Sequence, residues 1–401
     1  MRIPLWPLTA TVAVQTLATM ALYSLPALAP AVARDLNVNG ALVGGFVATA
    51  YGVGIISALL SPGLIRRYGG VRATQVVLLA ALGMLVIAGS AHDVASLAIS
   101  AVVLGLAYGA AAPASTHLLA PKTPASVFNT IMSLRQIGVP LGGVLAALIL
   151  PPLVGILGWR GALLAEAIPV LALMVAMEIP RKAWDADLDT THYRLAQTLV
   201  RPFVLLTDKR IRRLSASAFI FSGLQLCFVS FMTVQLTTVV HMHLIDAGRV
   251  LALYQIAGSV SRPIWGWIAD RFLTPSHTLA LHGIGMAVAA ALTGQFGPGW
   301  PGWAVVAVAV LAGCTAGGYT GVAYAEYSRL GGAHRTEATG LGTALMFSGG
   351  MLMPTAFAAT IAFSDNYALP FGAAAILALA GGGLLAVGKW RRSRDSNPGY
   401  P

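Results

Sequence analysis

Residues 302–325 read GWAVVAVAVLAGCTAGGYTGVAYA, and this stretch decides the fold class. It lies within a longer segment, 272–325, that contains no Asp, Glu, Lys or Arg. A helix needs about 20 apolar residues to cross a bilayer core of about 30 Å. The run Ala304–Leu311 lacks the period-two alternation of a membrane β-strand. Because backbone polar groups in lipid must be satisfied within the protein, this stretch predicts a membrane-spanning helix.

The composition extends this prediction to the whole chain. Of the 401 residues, 57% are hydrophobic and 10% are charged, whereas a soluble domain carries about 25% charged residues. Cys227 and Cys314 lie in apolar runs and predict neither a disulfide framework nor a metal site. We therefore expect an all-α membrane protein that has the lipid bilayer as its main partner and binds no metal or organic cofactor.

Twelve apolar segments are long enough to cross the membrane, and Pro-Gly and Gly-Gly pairs separate several of them. The longest polar segment divides the chain into an N-terminal six-helix bundle (1–179), a cytoplasmic linker (180–212) and a C-terminal six-helix bundle (213–401). The predicted spans 1 to 12 are 7–30, 40–60, 73–91, 95–117, 126–151, 161–178, 213–239, 247–268, 277–296, 302–325, 337–363 and 367–388.

The basic residues predict the orientation. Twenty of the 25 Lys and Arg residues fall in segments that alternating spans place on one side. Cytoplasmic loops carry such an excess, so we expect a multi-pass protein of the bacterial inner membrane with both termini in the cytoplasm. The net charge of +11 is thereby explained by topology and does not require a nucleic-acid partner.

The loop after span 2 is repeated after span 8. Residues 62–69 read PGLIRRYG and residues 266–273 read GWIADRFL, so Arg67 matches Arg271 at an offset of 204. Such a repeat indicates duplication.

The glycines of spans 4 and 10 repeat in a similar way. Gly105 and Gly109 match Gly313 and Gly317 at an offset of 208. Together with the repeated loop and the equal halves, these matches predict two pseudo-symmetric bundles, as in two-bundle transporters.

The segment Gly266-x-x-x-Asp270-Arg271 resembles the signature of the major facilitator superfamily in the loop after the second helix of each half. The resemblance implies a monomeric secondary transporter that works by alternating access, and not an enzyme. It also implies that Asp270, Arg271 and Arg67 belong to a charge network that locks one conformational state. The alternative is a solvated loop that only sets topology. In the first copy, Arg66 occupies the acidic position of the signature.

Arg135 and Arg262 are the two basic residues within predicted spans. An intramembrane arginine usually faces a bundle interior or an aqueous cavity, and its guanidinium can hold a carboxylate through two hydrogen bonds. Arg262-Pro263-x-x-Gly266 resembles a motif of monocarboxylate transporters, whose arginine is tied to the substrate carboxylate. The structural alternatives are helix-anchoring bonds for Arg135 and, for Arg262 near the end of predicted span 8, an ion pair with Glu326.

Other predicted substrate contacts offer a hydroxyl or amide group in an apolar wall. The alternative is that each of these side chains forms a hydrogen bond between helices. These residues are Gln136, Gln225, Gln255, Tyr23, Tyr51, Tyr108, Tyr254 and Tyr319.

Two acidic residues are candidates for gating or coupling. Glu326 lies near the end of span 10 and is either a coupling group or a cap paired with Arg329. Glu166 is the acid placed well inside a span, and a proton-carrying role is one interpretation of it. Proton coupling is thus compatible with the sequence.

We predict a secondary transporter for a small organic solute, with an organic anion such as a monocarboxylate as the leading class. A proton-coupled drug or metabolite exporter is the alternative, because Gly138, Pro140, Gly142 and Gly143 in span 5 partly resemble an antiporter signature. A solute sensor that kept the fold and lost transport is the third interpretation. The sequence contains no P-loop and no nucleotide-binding motif, which argues against ATP-driven transport.

Overall fold

The computed structural model describes residues 4–37, 40–185 and 195–386, and within these ranges it contains helices and no strand. Nine helical segments of the described chain are long and apolar enough to cross a membrane. Two of them, Ala125–Ala176 and Gly302–Ser364, each hold two crossings, and the more polar helix Leu244–Arg271 supplies one more. The predicted twelve-helix fold is therefore confirmed. Both termini, Arg2, Arg194 and the basic residues after 388, which contribute to the predicted orientation, lie outside the described residues.

The N-terminal half contains spans 1 to 6. A short helix, Ala29–Leu36, follows span 1, and two 3₁₀ turns, Ala120–Lys122 and Ala125–Val127, connect spans 4 and 5. Spans 1 to 4 are Leu5–Ala27, Gly40–Tyr68, Gly70–Gly89 and the pair Val94–Tyr108 with Ala111–Leu119. Span 5 is Phe128–Arg135 together with the first part of the helix Gly138–Ala176, and span 6 is the second part of that helix.

Gly158 separates spans 5 and 6. Its φ of 69° and ψ of 170° are non-helical, and residues with a side chain rarely adopt such a positive φ. The helical geometry is therefore broken at this position, close to the predicted gap between 151 and 161.

The C-terminal half contains spans 7 to 12. Span 10 is interrupted by a π-helical turn, Gly313–Gly317, and a 3₁₀ turn, Gly332–His334, precedes span 11. Spans 7 to 12 are Lys209–Thr238, Leu244–Arg271, Pro275–Gly294, the pair Gly302–Ala312 with Thr320–Gly331, Arg335–Ser364 and Ala368–Ala386.

The segment between the halves contains the short helices Arg181–Trp184 and Leu195–Val204 and the 3₁₀ turn Leu205–Thr207. Asp185 accepts hydrogen bonds from the backbone N–H groups of Val71 and Arg72 at 2.9 and 3.3 Å. This side chain therefore ties the segment to the start of span 3.

Each half buries its own apolar cluster. One cluster is formed by the N-terminal half and includes Leu78 and Met84, and the other is formed mainly by the C-terminal half and includes Phe221 and Phe228. These side chains are almost fully buried, as expected when helices of one bundle pack around a common core.

Gly105 and Gly313 occupy equivalent places in the two halves. A Cβ atom at Gly105 would lie 2.8 Å from the carbonyl oxygen of Ala50 in span 2, and one at Gly313 would overlap that of Tyr254 in span 8. Small residues let membrane helices approach this closely. The matched contacts of span 4 with span 2 and of span 10 with span 8 agree with the repeat found in the sequence.

The loops after spans 2, 4, 6, 8 and 10 lie at one end of the molecule. We call it the basic end, because Arg66, Arg67, Arg72, Arg271 and Arg329 are located there. The other end is called the opposite end and includes the ion pair between Arg160 and Asp35, at 2.8 Å.

Candidate functional site

A cavity of about 110 Å³ lies between the two halves. Seven of the ten predicted substrate-contact residues line it, and spans of both halves contribute to its wall. The lining residues are Gln15, Tyr23, Tyr51, Tyr108, Ala111, Ala112, Gln136 and Val139 from the N-terminal half, and Ser222, Gln225, Leu226, Arg262, Tyr319, Thr320, Tyr324, Thr343, Met346 and Phe347 from the C-terminal half.

Arg262 is the positively charged residue of the cavity wall. Only 3% of its surface is exposed. Its Nε donates to the Gly317 carbonyl at 2.8 Å, and its Nη1 donates to the Gln136 carbonyl. Nη2 has no hydrogen-bond partner among the described residues. One donor group of a buried cation is therefore left for a ligand.

Helix irregularities make the two carbonyls available to Arg262. Gly317 ends the π-helical turn of span 10, and Gln136 lies at the break between Phe128–Arg135 and the following helix of span 5. A regular helix satisfies its own carbonyl groups, whereas an interrupted one can offer them to a neighbouring side chain. The two irregularities, one in each half, thus position Arg262 between the bundles.

Arg135 lies behind the cavity wall. Its Nη1 donates to Oε1 of Gln136, and its Nη2 donates to Oε1 of Gln15 at 2.9 Å and to the Ala111 carbonyl at 3.0 Å. Its guanidinium carbon lies 5.8 Å from the centre of the Tyr324 ring. The structure therefore places Arg135 where it orients two amides of the cavity and not on the cavity surface.

Neither arginine has a carboxylate partner among the described residues, since no ion pair of this part of the chain includes Arg135 or Arg262. Carbonyl and amide oxygens solvate both guanidinium groups but do not neutralise their charge. Burying an unpaired charge is costly, and an anion nearby lowers that cost. The electrostatics of the site therefore favour an anionic ligand.

Depth along the helices places both arginines near the middle of the membrane. Arg135 is seven residues from Phe128 and Arg262 is nine residues from Arg271, which is about 11 and 14 Å at 1.5 Å per residue. Half of a bilayer core is about 15 Å. Sites of alternating-access carriers lie at this depth.

An aromatic cluster forms another part of the cavity wall. The Tyr51 and Phe347 rings are stacked with centroids 4.6 Å apart, and Tyr108 lies 5.8 Å from Phe347 and 6.2 Å from Tyr51. The Tyr108 hydroxyl is within 3.1 Å of the Thr19 hydroxyl. The cavity thus combines an apolar aromatic surface with a cationic group.

Besides Arg135, two more of the predicted contacts do not line the cavity. Tyr254 is fully buried, packs against Phe228 at 6.1 Å and donates to the Gln225 carbonyl at 3.4 Å. Gln255 is partly exposed, and its carbonyl accepts a hydrogen bond from Ser259 at 2.8 Å. Both residues lie on span 8, about two helical turns closer to the opposite end than Arg262.

The predicted ion pair between Arg262 and Glu326 is not formed. Glu326 accepts two hydrogen bonds from Arg329, at 2.6 and 2.7 Å, and one from Ser276 at 3.4 Å. The prediction was wrong because span 8 continues to Arg271, so Arg262 is deeper in the membrane than the predicted span end at 268 implied.

Asp270 joins the end of span 8 to the start of span 5. Its Oδ1 accepts hydrogen bonds from the backbone N–H and side-chain amide of Asn129, at 3.0 and 2.9 Å. Its Oδ2 accepts from the backbone N–H and hydroxyl of Thr130, at 2.9 and 2.6 Å. A carboxylate in this position satisfies free N–H groups at a helix start and interacts favourably with the helix dipole.

A second contact between the halves at the basic end was not anticipated from the sequence. Arg66 and Glu337 form an ion pair of 2.6 Å, and His334 lies 3.5 Å from the same carboxylate. Arg67 and Arg271, the predicted lock residues, are exposed instead. The missed signal was Glu337 itself, an acid in the first turn of span 11.

Glu166, the remaining coupling candidate, lies between spans 6 and 1. Its Oε2 is 2.5 Å from the Ser24 hydroxyl, and its side chain does not line the cavity. Sequence reasoning gave it no partner, because a contact across 142 positions has no local signal.

The chain matches the family model of the Major Facilitator Superfamily over residues 11–354. It belongs to this superfamily. As a superfamily member it is a multi-pass membrane transporter and not an enzyme, as the sequence predicted.

Two curated relatives share 26% sequence identity with this superfamily member. One is named probable nitrate/nitrite transporter NarK2, from Mycobacterium tuberculosis, and is matched over 353 residues, 83% of each chain. The other is the 4-hydroxybenzoate transporter PcaK of Pseudomonas aeruginosa, matched over 279 residues, 61% of each chain.

Two solved structures of the superfamily have the same fold. The human organic anion transporter MFSD10 aligns with a TM-score of 0.75 at 14% identity, over 96% of this chain and 100% of that one. The Escherichia coli fucose:proton symporter FucP aligns with a TM-score of 0.73 at 13% identity, over 96% of this chain and 99% of that one.

Proposed function

We propose that this transporter carries a small organic anion, with monocarboxylates as the substrate class, across the bacterial inner membrane by alternating access. One observation carries the proposal. Arg262 lines the cavity with Nη2 unpartnered and with no carboxylate in contact among the described residues. A carboxylate in the cavity would supply both the hydrogen-bond acceptor and the countercharge.

The aromatic wall favours an anion that also has an apolar part. Tyr51, Tyr108 and Phe347 line the same cavity as Arg262. A ligand that binds Arg262 through its carboxylate would bury its apolar part against these rings, which adds affinity through the hydrophobic effect and aromatic stacking. An aromatic monocarboxylate combines both features, and 4-hydroxybenzoate, named for one relative, is such a compound.

An inorganic oxyanion is the second candidate. The relative matched over the larger share of its length is named for nitrate and nitrite, and the cavity of about 110 Å³ is small. A planar oxyanion would bind the guanidinium as a carboxylate does. It would leave the aromatic wall without a ligand contact, so this candidate ranks second.

The basic end is proposed to face the cytoplasm, in line with its excess of Arg and Lys. The halves are in contact at that end through Asp270 with Asn129 and through Arg66 with Glu337. In that orientation the conformation is closed towards the cytoplasm. The two contacts then act as the lock of this state, and both must break before the cavity opens inward.

Counterflow exchange in proteoliposomes tests the proposal. Vesicles loaded with unlabelled 4-hydroxybenzoate are diluted into labelled 4-hydroxybenzoate, with protein-free liposomes as the leak control. External benzoate should compete with the label, whereas benzyl alcohol, which lacks the charge, should not. Competition by nitrate and by no carboxylate would favour the second candidate. Absence of exchange for every anion, from a folded protein, would contradict anion transport.

A further inference from the structure

Glu166 is a buried carboxyl group outside the cavity. Only 3% of its surface is exposed, and its Oε1 has no hydrogen-bond partner among the described residues. Its other oxygen, Oε2, contacts the Ser24 hydroxyl of span 1 at 2.5 Å. No Lys, Arg or His forms an ion pair with it in this part of the chain. An ionised carboxylate would here be an uncompensated charge.

No cation on the surrounding elements forms an ion pair with Glu166 in the described chain. Span 3 carries Arg72 as its one charged residue, and that side chain pairs with Glu178 at the basic end. The other titratable or charged groups of the elements packed around Glu166 are Tyr23 beside Ser24, Arg34 and Asp35 after span 1, His92 after span 3 and Arg160 earlier on span 6. Arg160 is paired with Asp35 at the opposite end.

The hydrogen-bond pattern favours a proton on Glu166. The Ser24 hydroxyl is 2.7 Å from the Met20 carbonyl as well as 2.5 Å from Glu166 Oε2. A serine hydroxyl has one proton, and a carbonyl oxygen can only accept. When Ser24 donates to Met20, the second short contact needs a proton from the carboxyl group. A protonated Glu166 that donates to Ser24 satisfies both contacts and removes the buried charge.

We propose that Glu166 and Ser24 form a proton-binding site whose proton is carried together with the anion. This inference rests on the proposed anion transport. Span 1 links the two sites, because it carries Ser24 at the proton site and the adjacent Tyr23 at the cavity. A shift of span 1 against span 6 breaks the Ser24 contact, and Glu166 then releases its proton to entering water. One proton accompanies one monovalent anion, so the transport cycle moves no net charge.

Driven uptake in proteoliposomes separates the two proposals. If one proton accompanies each anion, a gradient of one pH unit, acidic outside, should raise anion accumulation about tenfold relative to vesicles with the same pH on both sides. Glu166→Gln imitates the protonated carboxyl, so it should retain counterflow exchange and lose the stimulation by the pH gradient. Glu178→Gln is the matched control, because Glu178 follows the same span but is exposed and paired with Arg72. This control should keep both activities.

Each other outcome has a defined meaning. Wild-type exchange without stimulation by the gradient would overturn the proton site and leave anion transport standing. Stimulation that persists in Glu166→Gln would also overturn it, since the proton would then bind elsewhere. Absence of exchange in the wild type would instead contradict the proposed function.

Infrared difference spectroscopy tests the protonation state without transport. At neutral pH, the spectrum of the wild type minus that of Glu166→Gln should show the C=O band of a protonated carboxyl group. This band should shift in D₂O. A carboxylate band in its place would overturn the inference. If Glu166→Gln does not fold, Ser24→Ala serves as the second variant, because it removes the hydroxyl and should shift the same band.

Discussion

The guanidinium of Arg66 lies 2.6 Å from the carboxylate of Glu337, and this ion pair joins the end of span 2 to the start of span 11. The side chain of Glu337 is 5% exposed and that of Arg66 is 21% exposed. The pair is therefore largely shielded from water, where ionic contacts are screened less than on an open surface.

This ion pair is the charge-reversed counterpart of the Asp270 contact. Arg66 and Asp270 are related by the repeat offset of 204, and Asn129 and Glu337 by the offset of 208. In the C-terminal loop the acid reaches the first turn of span 5. In the N-terminal loop a base reaches an acid in the first turn of span 11. Arg66 departs from the family pattern, and it pairs with a residue of the opposite charge.

Charge exchange tests this pairing. Arg66→Glu or Glu337→Arg should each destabilise the conformation closed at the basic end by up to about 3 kcal/mol, because each single variant places two like charges in contact. The double variant should recover most of that loss, and the non-additivity measures direct coupling. The readout is thermal unfolding together with the labelling assay described next. Additive losses in the double variant would mean that the two side chains act independently.

Removal of the Asp270 carboxylate should open the basic end. Asp270→Ala loses a helix cap, which costs about 0.5–2 kcal/mol, whereas Asp270→Asn keeps one acceptor and should have a smaller effect. Ala112 lines the cavity. The reporter is Ala112→Cys in a background without Cys227 and Cys314. We expect this cysteine to react faster with a thiol reagent added at the basic end when Asp270→Ala is present than when Asp270 is retained. Equal labelling rates with Asp270 and with Ala at this position would show that the loop only sets topology.

Periodicity and charge predicted the twelve-helix fold, which the structure confirms. They did not predict which side chain Arg262 contacts, because its partners are backbone carbonyls exposed by a π-helical turn and by a helix break. Such irregularities depend on packing between helices and have no pattern of their own in one sequence. Glu337 was missed for a related reason, since its partner lies 271 positions away in the chain.

Arg135 is expected to act through Gln136 and not by direct contact with the substrate. Arg135→Lys loses the two-pronged geometry that holds Gln136 and Gln15. A hydrogen bond to a charged group contributes about 1.5–3 kcal/mol, so anion affinity should fall by at least about tenfold. In a Gln136→Ala background the same substitution should add little. Equal losses of affinity in both backgrounds would assign Arg135 a direct role.

The opposite end should show an acid-sensitive contribution to stability. The hydrogen bond from Arg160 lowers the pKa of Asp35 below its ordinary value. Since the folded-state pKa is depressed, the stabilisation is present above the unfolded pKa and is lost as pH falls through the folded one. Asp35→Asn should therefore lower the Tm at neutral pH and have no effect once Asp35 is protonated. Asp365→Asn, which removes a carboxylate without an ion pair in the described chain, is the matched control.

Anion recognition by Arg262 is tested most directly by equilibrium binding of a carboxylate and its uncharged isostere. Purified wild-type protein is titrated with 4-hydroxybenzoate and with 4-hydroxybenzamide, and ligand-induced stabilisation against unfolding reports the Kd. The wild type should bind the carboxylate and not the amide, and Arg262→Gln should weaken carboxylate binding by at least about tenfold while Arg262→Lys retains part of it. Equal binding of carboxylate and amide, or unchanged carboxylate affinity in Arg262→Gln, would contradict anion recognition by Arg262.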